Sequence, residues 1–297
     1  MGTNRWQSIF ILVLVVGFAS GCTNLQSIQD FGTGTSDFAS SYDRVFSGTY
    51  DTCLTSAEIR NVIIELGETP SRSPLTQLSD DKELCAPYKP TTQAFNETSL
   101  ALYDYGRILQ LVAKHNESPS FKNIQIIPKF SGVDESITDT VPELGDSKND
   151  IEEVNGWKPY FTSFYVQKTP QEIILESEPQ VQGTLNLLTT FTQIYQAQLD
   201  NYERNIKVLD TLIYDIGSSD AVKRTFVINR SRDHNARQKL LNNYIAALNS
   251  VKESHKRIYQ RSELESPHYS DPIFGQEMTD FLINITNLVQ QSKLISQ

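Results

Sequence analysis

Residues 181–216 read VQGTLNLLTTFTQIYQAQLDNYERNIKVLDTLIYDI, and their spacing decides the fold. Val181, Leu185, Leu188, Thr192, Tyr195, Leu199, Tyr202, Ile206, Leu209, Ile213 and Ile216 recur at alternating steps of four and three without a slip. A strand would alternate every second residue. This period belongs to a helix that keeps one apolar seam against a partner, as in left-handed coiled coils. Five heptads make it roughly 50 Å long. A second stripe, Leu187, Phe191 and Ile194, resumes at Val208 and Leu212 but lapses between them at Gln198, Asn201 and Asn205. More neighbours are therefore expected near the ends of this helix than at its waist.

Working outward, Thr169-Pro170-Gln171-Glu172 combines a capping box with proline at the first helical position, and Pro179 should kink or restart the chain. After the seam, Gly217-Ser218-Ser219-Asp220 makes a turn and a new cap. The next helix runs to about Glu265 with Leu241, Tyr244, Leu248, Val251, His255 and Ile258 on its seam. Ser266-Pro267 ends it, and Asp271-Pro272 opens a final amphipathic helix through Phe274, Met278, Phe281, Ile285, Leu288 and Ile295. Earlier in the chain, Phe95, Thr98, Leu102, Tyr105, Leu109 and Val112 mark a helix to about Lys114. Another is expected from Ser36-Asp37 through Phe38, Tyr42, Val45, Thr49, Thr52, Ser56, Ile59, Ile63 and Leu66, weakened at Gly48. Residues 67–92 carry four prolines among polar residues and read as a loop or short-helix connection. Residues 116–168 have no sustained period and hold Ile124–Ile127 and Tyr160–Val166 as candidate short strands. The fold class is all-α: an elongated, antiparallel up-and-down bundle of about five long helices with coiled-coil-like packing and one irregular acidic insertion at 116–168.

The amino terminus carries a separate message. Arg5 precedes the apolar run Ile9–Phe18, and Ala19-Ser20-Gly21-Cys22 closes it. Ten apolar residues span roughly 15 Å as a helix, half a bilayer core, so a cleaved export signal is favoured over a transmembrane span. The segment resembles the signal of bacterial lipoproteins, whose lipobox places small residues before a cysteine that is diacylated and becomes the new amino terminus. Ala19 stands where that class most often has Leu. The resemblance implies lipidation of Cys22, and Thr23-Asn24 after it, with no Asp, imply outer-membrane sorting facing the periplasm or the cell surface. The expected organisation is a signal peptide at 1–21, a Gly32/Gly34 tether at 22–35 and a helical domain at 36–297.

Loss of Arg5 with the signal leaves 25 basic residues against 36 acidic ones, a net charge of −11 for the mature chain. An acidic protein without a basic stripe is a poor partner for nucleic acid and for anionic lipid, so the lipid anchor is the expected membrane contact. Two cysteines remain, Cys53 and Cys85. In an exported chain the expectation is a disulfide, with free thiols or half a metal site as alternatives.

The search for catalytic chemistry returns little. None of His115, His234, His255 and His268 belongs to a metal-binding motif. His234 and His255 share a helix face about 31 Å apart, too far to hold one ion, and His255 on an apolar seam reads as a core histidine. Gly32-Thr33-Gly34 lacks the third glycine of a dinucleotide fingerprint, and no Gly-x-Ser-x-Gly elbow occurs. Asp146, Asp150, Glu152 and Glu153 lack the order of a calcium loop and read as a solvated surface. Tyr195, Tyr202, Tyr214, Tyr244 and Tyr259 read as core packing with their hydroxyls at the rim. No cofactor, metal or small-molecule substrate is inferred. The expected function is that of a non-catalytic, lipid-anchored envelope protein that binds another envelope protein. The alternative is an immunity or exclusion lipoprotein whose 116–168 segment blocks an incoming toxin or phage protein.

Overall fold

The computed structural model describes residues 25–41, 48–67, 74–115, 127–162, 168–215, 221–264, 269 and 271–295; the leader and Cys22 lie outside the described residues. Among the described residues the chain is all-α, with no strand and no helix long and apolar enough to cross a membrane. α1 covers residues 25–40, α2 Gly48–Gly67, α3 Pro74–Cys85 and α4 Tyr88–His115. α5 (Ile137–Thr140), a 3₁₀ turn (Pro142–Ser147), α6 (Lys148–Asn155) and α7 (Trp157–Thr162) follow. Then come α8 (Pro170–Glu176), α9 (Glu178–Asp215), α10 (Ala221–Ser262) and α11 (Pro272–Ile295).

α9 is the central element, packed against α2, α4, α6 and α10. Its seam is buried at each described position from Val181 to Ile213; Ile216 lies outside the described residues. Against α10 the paired residues run in opposite senses: Glu178 with His255, Gln196 with Gln238, and Tyr202 with Asp233. The second stripe behaves differently at its two ends. Leu187, Phe191 and Ile194 are buried, but Val208 is 48% exposed and Leu212 only partly covered. The extra neighbours expected at both ends are present at the amino-terminal end alone.

Local chemistry sets the boundaries. Thr169 accepts the Glu172 N–H and Glu172 accepts the Thr169 N–H at 2.7 Å, so the capping box forms with Pro170 in the first turn. α8 stops at Ser177 because Pro179 has no N–H to extend it; that proline instead sits in the first turn of α9, where no intrahelical bond is needed. Asp271 caps α11 by accepting the Ile273 N–H at 2.9 Å, with Pro272 beside it. Arg261 pairs with Asp271 at 3.1 Å, and Ser262 meets the Tyr269 hydroxyl at 2.6 Å, which fixes α11 to the end of α10.

Two expectations are overturned. Residues 25–35 of the tether expected at 22–35 lie in helix α1, which buries Ile28, Phe31, Thr35 and Phe38; residues 22–24 lie outside the described residues. Gly32 and Gly34 are contact points. A Cβ on Gly32 would lie 2.6 Å from the Gly106 carbonyl oxygen of α4, and one on Gly34 would lie 2.6 Å from the Phe281 ring of α11. The single helix expected over 36–66 is likewise two elements, since α1 ends at residue 40 and α2 begins at Gly48. Gly48 starts a helix instead of weakening one. It lets the backbone approach the Tyr195 hydroxyl and Arg237, which donates to Thr52 at 2.8 Å.

Residues 127–162 of the 116–168 insertion are more ordered than its composition implied. Asp104 of α4, fully buried, accepts the N–H groups of Lys129 and Phe130 at 2.6 and 2.9 Å, and Asn155 bonds both backbone groups of Val133. Val141, Leu144, Ile151, Val154 and Trp157 then join the main core. Tyr160 and Phe161, expected in a strand, are helical, and Phe161 stacks on Trp157 at 4.8 Å; residues 163–167 and most of the other candidate strand lie outside the described residues.

The Gly32–Gly106 crossing gives a direct test. Gly32→Ala should force two backbones apart and lower stability by about 1–3 kcal/mol. Gly145→Ala, where an added methyl meets nothing within 4 Å, should stay within about 0.5 kcal/mol. Urea midpoints measured side by side decide the point; equal midpoints would remove the crossing from the account.

Candidate functional site

The residues singled out for chemistry fall in different places. Cys53 of α2 and Cys85 at the end of α3 form a disulfide with Cα atoms 5.8 Å apart. Asp146, Asp150, Glu152 and Glu153 do not converge: Asp150 accepts from Asn186 at 3.3 Å, and the Glu153 side chain lies against Gly183. Among the described residues no group of three or more His, Cys, Asp or Glu side chains is arranged to hold a metal. His234 packs edge-on to Tyr202. Tyr195, Tyr202 and Tyr244 are buried and Tyr259 half-buried, whereas Tyr214 is 81% exposed and belongs to no core.

His255 is a buried polar centre of the helical core. It is fully enclosed, with Nε2 at 2.6 Å from Glu178 Oε2 and Nδ1 at 3.4 Å from the Tyr105 hydroxyl. The Phe31 ring of α1 lies 6.1 Å from the imidazole, so α1, α4, α9 and α10 meet around it. Burial pushes the Glu178 carboxyl up, but its bond to His255 and the adjoining histidine charge outweigh this and hold it below the usual carboxylate range. Burial pushes the Tyr105 hydroxyl well up, so it stays protonated. The cluster satisfies its own polar atoms and ties four helices together, as expected of a core histidine.

A concave feature of the surface lies where the second stripe of α9 lapses. A cleft of about 520 Å³ is walled by Ser56, Ala57 and Arg60 of α2 and by Gln198, Asn201, Arg204, Asn205 and Val208 of α9. Leu84 and Tyr88 close the third side, and Cys53 brings the disulfide to its wall. The polar waist therefore faces a space instead of a fourth helix. Asn205 spans its floor, donating to the Ser56 carbonyl and hydroxyl at 3.0 and 2.9 Å. Burial pushes the Tyr88 hydroxyl up, Glu143 adds to the shift, and a hydrogen bond to Gln198 opposes it. Volume and a mixed lining both fall in the range of ligand clefts. The lapse at Gln198, Asn201 and Asn205 was the sequence signal for this site; Arg60 and Leu84 come from distant segments and carried none.

A second surface was concealed by the overall acidity. Residues 223–239 contain six basic side chains and one acidic one, Asp233. Arg230 pairs with Glu58 at 3.2 Å and Arg237 with Asp233 at 3.0 Å. Arg224, Arg232 and Lys239 are exposed, and among the described residues none has a carboxylate within 4 Å. With Ile228, which is 50% exposed, they fall at helical spacing on one face and form a basic edge roughly 22 Å long.

No protein-family model matches the chain, and no curated protein or solved structure matches it either.

Two measurements test these assignments. In the chain-entropy model, closing the loop between Cys53 and Cys85 contributes about 3.5 to 4 kcal/mol. Reductant should lower the urea midpoint of the native protein and leave a Cys53→Ala/Cys85→Ala variant unmoved. For the buried cluster, a carboxyl with a lowered folded pKa stabilises above its unfolded pKa, about 4.3, and that stability is lost as pH falls through the folded value. Glu178→Gln should thus cost most near pH 7, with the gap to wild type narrowing below about pH 4; a gap constant with pH would show that the ionised carboxyl contributes nothing.

Proposed function

We propose that the chain is a non-catalytic, lipid-anchored protein of the bacterial envelope whose helical body binds an acidic protein partner. The observation that carries the binding role is the basic edge Arg224, Arg232 and Lys239, which pairs with no carboxylate among the described residues, on a chain with ten more acidic than basic residues. Exposed cations without partners contribute nothing to folding and complement an acidic surface. The address rests on the Ala19-Ser20-Gly21-Cys22 lipobox, and the Cys53–Cys85 disulfide agrees with an oxidising compartment. In this reading the helices of twenty residues or more, α2, α4, α9, α10 and α11, run up and down as an elongated bundle, anchored at one end through Cys22.

The two halves of the proposal separate experimentally. Cells fed a labelled fatty acid should incorporate it into the wild-type protein and not into Cys22→Ala; label surviving the substitution sinks the anchor. In crosslinked envelopes, the adduct formed by wild type should disappear in an Arg224→Glu/Arg232→Glu/Lys239→Glu variant that melts at the wild-type temperature. An adduct that persists through that triple reversal removes the edge from the binding surface.

A further inference from the structure

We propose that the cleft at the waist of α9 binds a small amphiphilic anion, its acidic group held by Arg60 and Arg204 and its apolar body laid against Leu84 and Val208. The sign follows from the lining. It contains two guanidinium groups and no carboxylate, in a chain whose acidic residues outnumber basic ones 36 to 26. Both arginines have capacity left. Arg204 is exposed and bonds the Asn201 side-chain oxygen, and among the described residues no carboxylate reaches it. Arg60 is half-exposed and meets Asp81 through one nitrogen at 3.5 Å, a long, single contact that leaves the rest of the fork open.

Two acids close to these arginines in sequence or space are already engaged. Asp81 accepts from Asn61 at 2.6 Å, and Glu203 pairs with Lys207 at 2.8 Å. A third acid, Glu143, acts on the Tyr88 hydroxyl from outside the lining, so a bound anion meets the two guanidinium groups of the wall before it meets a carboxylate.

The apolar half of the ligand follows from the rim. Leu84 and Val208 are 53% and 48% exposed, and both of these outlying apolar side chains face this one cleft. Covering them removes apolar surface from water, which a purely ionic ligand such as phosphate would not do. A volume of about 520 Å³ admits a molecule of roughly ten to twenty heavy atoms. The wall that holds Leu84 and Tyr88 in place is tied to α2 by the Cys53–Cys85 bond, so the cleft is pre-formed. The shared chemistry is an acidic head on a short apolar body, whether the head is a carboxylate or a phosphate.

The probe is anilinonaphthalene sulfonate, titrated by fluorescence against the full-length protein. One saturable site is expected, displaced by decanoate or decyl phosphate and not by decanol; the better of the two competitors identifies the head group. Arg204→Glu should weaken the probe by about tenfold or more, the size of one charge-assisted hydrogen bond. Val208→Ser should weaken it less, and Arg232→Glu on the α10 edge should leave it unchanged. Arg204, Val208 and Arg232 lie at the exposed surface, and a circular dichroism melt of each variant checks that it folds. Affinity unmoved by Arg204→Glu, equal loss in Arg232→Glu, or displacement by decanol overturns the proposal. None of these results bears on Cys22 or on the crosslinked partner, so the site stands or falls by itself.

Discussion

The fold depends on the burial of one uninterrupted stripe along α9. Ten described seam positions, from Val181 to Ile213, are each less than a tenth exposed. Burying an aliphatic or aromatic side chain of this size stabilises by about 1.5–3 kcal/mol, and the stripe repeats that contribution along the helix. The stripe also sets geometry. A three-four alternation holds one line of contact along a helix of roughly 57 Å, so α10 can follow α9 for most of its length. α2, α4 and α6 then attach to the flanks that α10 leaves open. The polar cluster at His255 depends on the same arrangement, because Glu178 reaches the imidazole only when the first turn of α9 lies beside the last third of α10.

What the sequence revealed and what it withheld divide along physical lines. Periodic large apolar residues were legible: the seams of α4, α9 and α10, and that of α11 as far as Ile285, lie where spacing placed them among the described residues, because water leaves no other solution for such stripes. The capping box at Thr169 and the restart at Pro179 were legible for a different reason, being set by local hydrogen-bond chemistry. Helix α1 was missed because glycine was read through its conformational freedom alone. Ile28, Phe31, Thr35 and Phe38 continue the three-four spacing, and the glycines between them serve close packing. A glycine pair in contact across two helices leaves no trace in either segment by itself. The tertiary partner, Gly106, is more than seventy residues away.

The charge distribution was hidden by summation. The acidic chain was read as having no basic stripe, yet residues 223–239 are locally basic and the exposed acids collect around residues 134–152. Screening makes the local value the relevant one. Over about 8 Å at physiological ionic strength the rest of the molecule ceases to act, so a partner approaching α10 meets arginine and lysine whatever the total.

The waist of α9 shows where folding and binding pull apart. Gln198, Asn201 and Asn205 occupy positions that the second stripe would have filled with apolar residues. Leucine there would have drawn α2 and α3 inward and removed the cleft, at a gain of about 1.5–3 kcal/mol for each side chain fully buried. The polar residues forgo that gain, and Asn205 and Gln198 recover only part of it through bonds to Ser56 and Tyr88. A disulfide, which adds stability without filling space, stands at the same place and holds the third wall against α2. Packing alone would have closed this space. Its persistence beside a covalent brace, with two arginines and two uncovered apolar side chains turned into it, departs from the consistency that holds elsewhere in the fold, and such local departures collect at functional sites.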